Sequence, residues 1–230
     1  MDSPNPTLPP IPGGPYDIEF FFDPGCPFAW QTSRWVHRVK ELRGISVGWR
    51  FISLKMINEG NEIPAEMLRA QERGLAYHRV CAAAREAHGN DAVERLYTAY
   101  GERLWHGTSE LPVLERLAAN AEAIDIDEIL AELGLPAELA AAADDPRWDE
   151  VLRAESDEAF RRTGPDVGTP IITYDPPNGS SLFGPVISSV PDDEDALRMY
   201  DALRTMVDLE TFSELKRSKR PPLDLPVFAA

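Results

Sequence analysis

Apolar and polar residues alternate at Asp17–Ile18–Glu19 and then close into the run Phe20–Phe21–Phe22, the pattern of a central strand covered on both faces. A helical period follows. From Pro27 to about Arg43, Phe28, Trp35, Val39 and Leu42 share one face, with Val36 beside them, while Arg34, Arg38 and Lys40 lie elsewhere. Gly44 stands just past that helix, where Gly ends one. Alternation returns over Ile45–Ile52 and predicts a second strand. Strand, helix and strand with short joins make a right-handed parallel unit.

The next hundred residues change character. They are rich in Ala, Glu, Leu and Arg with almost no strand signal, and predict helices over Pro64–Tyr77, Tyr77–His88, Asp91–Trp105, Leu111–Ala123, Ile126–Leu133, Pro136–Ala143 and Arg147–Arg162. Turn and capping residues divide them at Gly89–Asn90, Asp125, Gly134 and Asp144–Asp145–Pro146. The strand signal resumes at Thr169–Tyr174 and Ser180–Phe183, joined by Asp175–Pro176–Pro177–Asn178–Gly179, which reads as an antiparallel hairpin. A long helix is predicted over Asp192–Asp208, and Phe212–Arg217 reads as one or two turns more. Four segments result: a flexible Pro/Gly-rich arm at 1–15, an α/β domain split into 16–58 and 164–220, a helical insertion at 59–163, and a surface-lying tail at 221–230.

The chain has 230 residues and a net charge of −16. That balance argues against nucleic acid as a partner, because phosphate binding needs clustered cations. The one basic stretch, Lys216–Arg217–Ser218–Lys219–Arg220, reads as a solvated helix end. No run of about 18 apolar residues exists to span a membrane. The N-terminus lacks the basic and apolar regions of a secretory signal, so a reducing cytoplasm is the expected setting. Two cysteines make no disulfide framework and match no zinc spacing, and His37, His78 and His88 show no metal spacing, so no metal is expected.

The candidate chemistry lies at the end of the first strand. Cys26 precedes Pro27, a residue favoured at the first helical position. Cys26 is then the N-cap, with free backbone N–H groups and the positive helix end beside its sulfur. Such a thiol is expected to be exposed and to have a lowered pKa. Far down the chain Gly168–Thr169–Pro170 marks the re-entry into the sheet. The order β-α-β, helical insertion, ββ-α is that of a thioredoxin fold split by helices, in which this place holds a cis-proline beside the active cysteine. Pro170, lacking an N–H, would leave the Thr169 backbone free to pair with an extended thiol substrate.

With these residues in view the chain resembles the DsbA-like thioredoxin-fold family, and more closely its actinobacterial branch of mycothiol-dependent nitroreductases or mycoredoxin-like proteins. The resemblance spans about residues 16 to 222. It is carried by Phe22–Asp23–Pro24, Cys26–Pro27, Trp30, Thr32–Ser33–Arg34–Trp35, Ala87–His88–Gly89, Asp166–Val167–Gly168–Thr169–Pro170, Phe183–Gly184–Pro185–Val186 and Glu214–Leu215–Lys216–Arg217. It implies a thiol-disulfide oxidoreductase working with a low-molecular-weight thiol such as mycothiol, on small aromatic or nitro substrates. One departure stands out. The family motif is Cys-Pro-Trp-Cys, and here it reads Cys26–Pro27–Phe28–Ala29. The resolving thiol is gone, so single-thiol exchange is what remains. Two alternatives stay open: a transferase or isomerase resembling the kappa-class glutathione transferases and hydroxychromene-carboxylate isomerases, and a non-catalytic thioredoxin-fold binding module.

Other residues carry less. Cys81, on an alanine-rich helix, reads as a packed core thiol, or else as a distant resolving thiol. Trp35 reads as core, and Trp30 divides evenly between packing and lining the site. His106 is placed in an insertion loop, where it could assist proton transfer. The remaining acidic residues read as solvated helix faces. The expected partner is a small thiol or disulfide, with a homodimer left open.

Overall fold

A computed structural model describes residues 8–229. Four strands form one sheet: β1 (Ile18–Phe22), β2 (Val47–Phe51), β3 (Ile171–Tyr174) and β4 (Ser181–Phe183), in the order β2-β1-β3-β4. β1 runs parallel to β2, in the register Phe20 to Trp49, and antiparallel to β3, in the register Phe20 to Ile172. β3 and β4 pair antiparallel as the hairpin pattern predicts. α1 (Pro27–Arg43) joins β1 to β2, and Gly44 ends it in the left-handed region at φ 68°, where a residue without Cβ is unstrained.

Successive strand residues face opposite sides of the sheet. Ile18, Phe20 and Phe22 pack with Val47, Trp49 and Phe51 into the main core beneath α1 and the insertion. Phe21 turns the other way, onto Ile52, Ala159 and Ile171. α2 (Leu54–Ile57) follows β2, and the helices of the insertion are α3 (Ala65–His88), α4 (Asn90–His106), α5 (Val113–Ala123), α6 (Ile126–Glu132) and α7 (Asp149–Thr163), with 3-10 turns at Ala137–Asp144 and Pro146–Trp148. α8 (Asp193–Val207) packs on α1, and Trp35 Nε1 donates to Ala196 O at 3.0 Å. None of the described helices is long and apolar enough to cross a membrane.

Several expectations change. The pattern predicts a break at Tyr77, but α3 runs through it: no Pro or turn residue interrupts the hydrogen-bond ladder there, and Tyr77 is wholly buried. Part of the arm, residues 1–7, lies outside the described residues, and the rest is anchored to the sheet at a few points although most of it is exposed. Ile11 is buried, the Pro9 carbonyl accepts from Arg50, and Ile11 and Tyr16 cover Gly48 so closely that a Cβ there would meet Ile11 at 2.8 Å. The tail is no surface strand either. Leu225 and Val227 are buried, and Arg116 of α5 donates to the carbonyls of Val227 and Ala229. Both segments bury apolar side chains despite their prolines. Phe212–Arg217 forms no helix; α8 ends at Val207.

Two features fix the insertion to the sheet. The first is a buried charge network. The Glu155 carboxylate of α7 accepts from Arg50 Nη1 of β2 at 2.9 Å, Arg85 Nη2 of α3 at 2.7 Å and the Phe51 backbone N–H at 2.8 Å. Arg50 also bonds Glu19, whose second oxygen accepts from Arg162. Burial pushes the Glu155 carboxyl up, but the Arg85 and Arg50 guanidiniums more than offset this and hold it below its usual range. Glu19, Glu155 and Glu158 are therefore interior groups and not solvated faces. The second feature is a wedge. Trp30 of α1 is buried against Tyr97, and its ring lies directly over Gly101 of α4.

Gly101→Ala drives a methyl into the Trp30 ring and is expected to lower the unfolding free energy by about 3 kcal/mol, read from denaturant titration. Glu155→Ala leaves Arg50 and Arg85 as buried, unpaired charges and is expected to cost about 3 to 5 kcal/mol. A loss under about 1 kcal/mol, the usual value of an exposed pair, would show that water reaches the network.

Candidate active site

β1 ends at Phe22, and Asp23–Pro24–Gly25 turns the chain into α1. The turn closes through the Cys26 N–H to Asp23 O, at 3.0 Å, and through the Asp23 side chain, whose Oδ1 accepts from the Gly25 N–H at 2.6 Å. Cys26 is the N-cap, in an extended conformation, and Pro27 opens the helix. The Ala29 N–H donates to Cys26 Sγ at 3.4 Å, so a helix-terminal donor points at the sulfur. The loop before β3 arrives from 143 residues away: Cys26 Sγ–H donates to the Thr169 carbonyl at 3.4 Å. Thr169 Oγ1 anchors that loop to Phe21 O at 3.0 Å, and the Thr169–Pro170 peptide is cis. The Thr169 backbone thus meets Cys26 at the end of the sheet, between Gly168 and Pro170, and nothing lies within 4 Å of the space a Gly168 Cβ would fill.

The electrostatics differ from the expectation of an exposed, acidic thiol. Cys26 is 7 % exposed, and its thiol is pushed up to about 12, chiefly by burial. The Ala29 and Phe28 N–H groups pull it down and the Asp23 charge pushes it up. Desolvation of a charged sulfur outweighs two N–H donors and a helix end, and a thiol that donates to Thr169 O is held neutral. Cys81 is wholly buried on α3, and both cysteines are free; nothing brings it to Cys26.

Other predicted residues take different places. Ala29 is buried one turn into α1, where a second thiol would face the first. Phe28 is half-buried beside the site, with the Arg220 guanidinium 5.5 Å from its ring. Trp30 packs and does not line the site; Arg34 stacks on its ring at 3.9 Å. His106 is the exposed last residue of α4 and not a loop residue; its ring stands 6.3 Å, edge-on, from Trp30, and it makes no bond to Cys26.

Asp23, read from the sequence only as part of the Phe22–Asp23–Pro24 motif, and His78, weighed there only as a metal ligand, both stand behind the Cys26 turn. Asp23 is buried, and its Oδ2 accepts from the Leu54 N–H at 2.7 Å. His78 of α3 donates Nε2–H to Phe22 O at 3.0 Å and turns Nδ1 toward Asp23 Oδ2 at 3.9 Å. Burial raises the Asp23 carboxyl and lowers the His78 imidazole, each opposed by the other. An acid followed by a turn beside a cysteine was the available signal for Asp23; His78, 52 positions beyond Cys26, had none. Among the described residues no three His, Cys, Asp or Glu side chains gather as they would around a metal ion.

Comparisons with known proteins bear on the family and the fold. A family model described as mycothiol-dependent nitroreductase Rv2466c matches residues 25–217. An uncharacterised protein of Mycobacterium tuberculosis (strain ATCC 25618 / H37Rv), Rv2286c, is 33 % identical over 209 residues, covering 89 % of this chain and 83 % of its own. Among solved structures, a probable DsbA oxidoreductase from Streptomyces coelicolor is similar at 18 % identity and TM-score 0.50, over 90 % of this chain and 97 % of that one. The cytosolic disulfide reductase DsbM from Pseudomonas aeruginosa is similar at 19 % identity and TM-score 0.49, over 82 % and 98 %. The fold is the DsbA-like thioredoxin fold, and the chain belongs to the Rv2466c-like family of mycothiol-dependent nitroreductases, which are thiol-dependent oxidoreductases.

Proposed function

We propose that this protein is a single-cysteine thiol-disulfide oxidoreductase in which Cys26 is the nucleophile and a small thiol of the mycothiol type completes the cycle. The observation that carries it is the three-way junction at Cys26: the Ala29 N–H on its sulfur, the Thr169 carbonyl on its proton, and Ala29 where a resolving thiol would stand. Cys26 is the group that reacts; Thr169 and Phe28 are the groups that would hold the small thiol. That thiol supplies the second sulfur that the chain does not offer at the site. The two free cysteines suit a reducing compartment, the cytoplasm.

The resting thiol is neutral and sheltered. A disulfide whose backbone pairs with Thr169 takes that carbonyl away from the sulfur and leaves the Ala29 N–H as its partner, which favours the thiolate. The Cys26 sulfur then bonds one sulfur of the substrate, the substrate S–S bond breaks, and the thiol proton leaves with the departing thiolate. With Ala29 unable to attack, release of the Cys26 adduct falls to an external thiol, and Cys26 returns to its protonated form. For a nitroaromatic substrate the first two-electron step consumes two thiols, Cys26 and one small thiol: one nitro oxygen leaves as water, the nitroso compound is released and the two thiols end as a mixed disulfide.

Burial of the sulfur favours a second reading, a non-catalytic binding module, and one experiment divides the two. Incubated with oxidised mycothiol, the wild type is expected to gain the mass of one mycothiol at Cys26, reversed by reduced mycothiol, and Cys26→Ser to gain none. No adduct with either oxidised mycothiol or oxidised glutathione overturns the proposal in favour of the module. A Cys26→Ser protein that still turns over a thiol-dependent transfer favours the transferase alternative. The pH profile follows from the raised thiol. Only the thiolate is alkylated, so the iodoacetamide rate at Cys26 is expected to climb about tenfold per pH unit from neutrality without levelling near the free value of about 8.5. An inflection below neutrality would mean that the helix end, and not burial, governs the sulfur.

A further inference from the structure

The run Lys216–Arg217–Ser218–Lys219–Arg220 lies on no helix, so no helix dipole accounts for it. After Val207 the chain leaves α8 and crosses beside the first turns of α1. Arg220 reaches the Phe28 ring. Four residues on, Asp224 donates its N–H to Ser188 O at 2.8 Å, and Gln31 Nε2 bonds the carbonyls of both Ser188 and Asp224. The segment is thus tied down along α1 from Phe28 to Gln31, and Pro221–Pro222 stiffen it between those points. At 1.5 Å of rise per residue, Phe28 stands about 3 Å along the helix axis from Cys26.

All four cations are exposed, and none forms an ion pair among the described residues. Glu214 and Asp224 flank the run without neutralising it. In a chain of 39 acidic and 23 basic residues, the predominantly negative surface turns anions away and this strip admits them. An aromatic ring capped by a guanidinium suits a planar group that carries negative charge.

We propose that the 216–220 strap is an anion-recognition element beside Cys26, selecting disulfides or aromatic substrates that carry a carboxylate or a comparable anionic group. The proposal rests on the reading of Cys26 as nucleophile and names the substrate class of that site. The neighbouring N-terminal end of α1 carries positive potential as well and adds to the same field.

The test compares two chromogenic disulfides, dithiobis-nitrobenzoate, a dianion, and dithiodipyridine, which is uncharged. In each, the Cys26 sulfur bonds one half and the other half leaves as the coloured thiolate or thione. The ratio of the two rates in the wild type is expected to fall about tenfold in the Lys216→Ala/Arg217→Ala/Lys219→Ala/Arg220→Ala variant, and to fall similarly in the wild type between low and high salt. A ratio that neither change moves overturns the strap. Should Cys26 react with neither reagent, the nucleophile reading fails, and the strap is judged by naphthoate binding to the Cys26→Ser protein. Binding of naphthoate over neutral naphthalenemethanol, weakened about tenfold by the four alanines, sustains it. Equal binding of the two, or none, overturns it.

Discussion

Glu155 cannot be left alone. Its carboxylate sits where water does not reach, and it is tolerable there because two guanidiniums and a backbone N–H surround it. Those donors come from β2 and α3, while Glu155 itself belongs to α7, so one desolvated anion obliges three elements to meet. α3 is thereby held across the end of the sheet, which brings His78 under Phe22 and Gly74 over Asp23. Trp30 and Gly101 set the depth on the opposite flank. The turn that carries Cys26 is built between these two fixed places.

At the sulfur, two effects of opposite sign compete. The helix end and its N–H groups favour charge; removal from water opposes it. In this resting arrangement dehydration wins, and the thiol lends its proton to the carbonyl of the cis-proline loop. In the proposed exchange an extended partner would take the contact that quiets the sulfur, which would couple occupancy to activation through one carbonyl oxygen.

Most of the architecture could be read from period alone. The runs around Phe20–Phe22, Val47–Phe51 and Ile171–Tyr174 alternate or close as buried strands must, and Pro27 and Gly44 bracket α1 as end signals should. The junction of Cys26 with Thr169–Pro170 was legible only because the order of elements implied it. What stayed hidden depends on partners distant in sequence. Arg50 looks like the polar phase of a strand, yet its counter-ion lies 105 residues away. Cys26 announces its helix end but not the walls around it. Lys216–Arg220 resembles a helix terminus until the helix is seen to stop at Val207, and the prolines of residues 9–15 and 221–226 suggest loose ends where Ile11 and Val227 are in fact interior.

The closing segment adds one more tie between the insertion and the rest of the chain, beside the Glu155 network and the Trp30 wedge. Asp224 is held by Gln31 of α1, and three and five residues later Arg116 of α5 grips the carbonyls of Val227 and Ala229. This tie lies on the α5 side of the insertion, away from the Glu155 network. An excursion of α5 away from the sheet would have to break the Arg116 bonds to Val227 and Ala229 or the Gln31 bond to Asp224, so the closing segment acts as a clasp across the two parts.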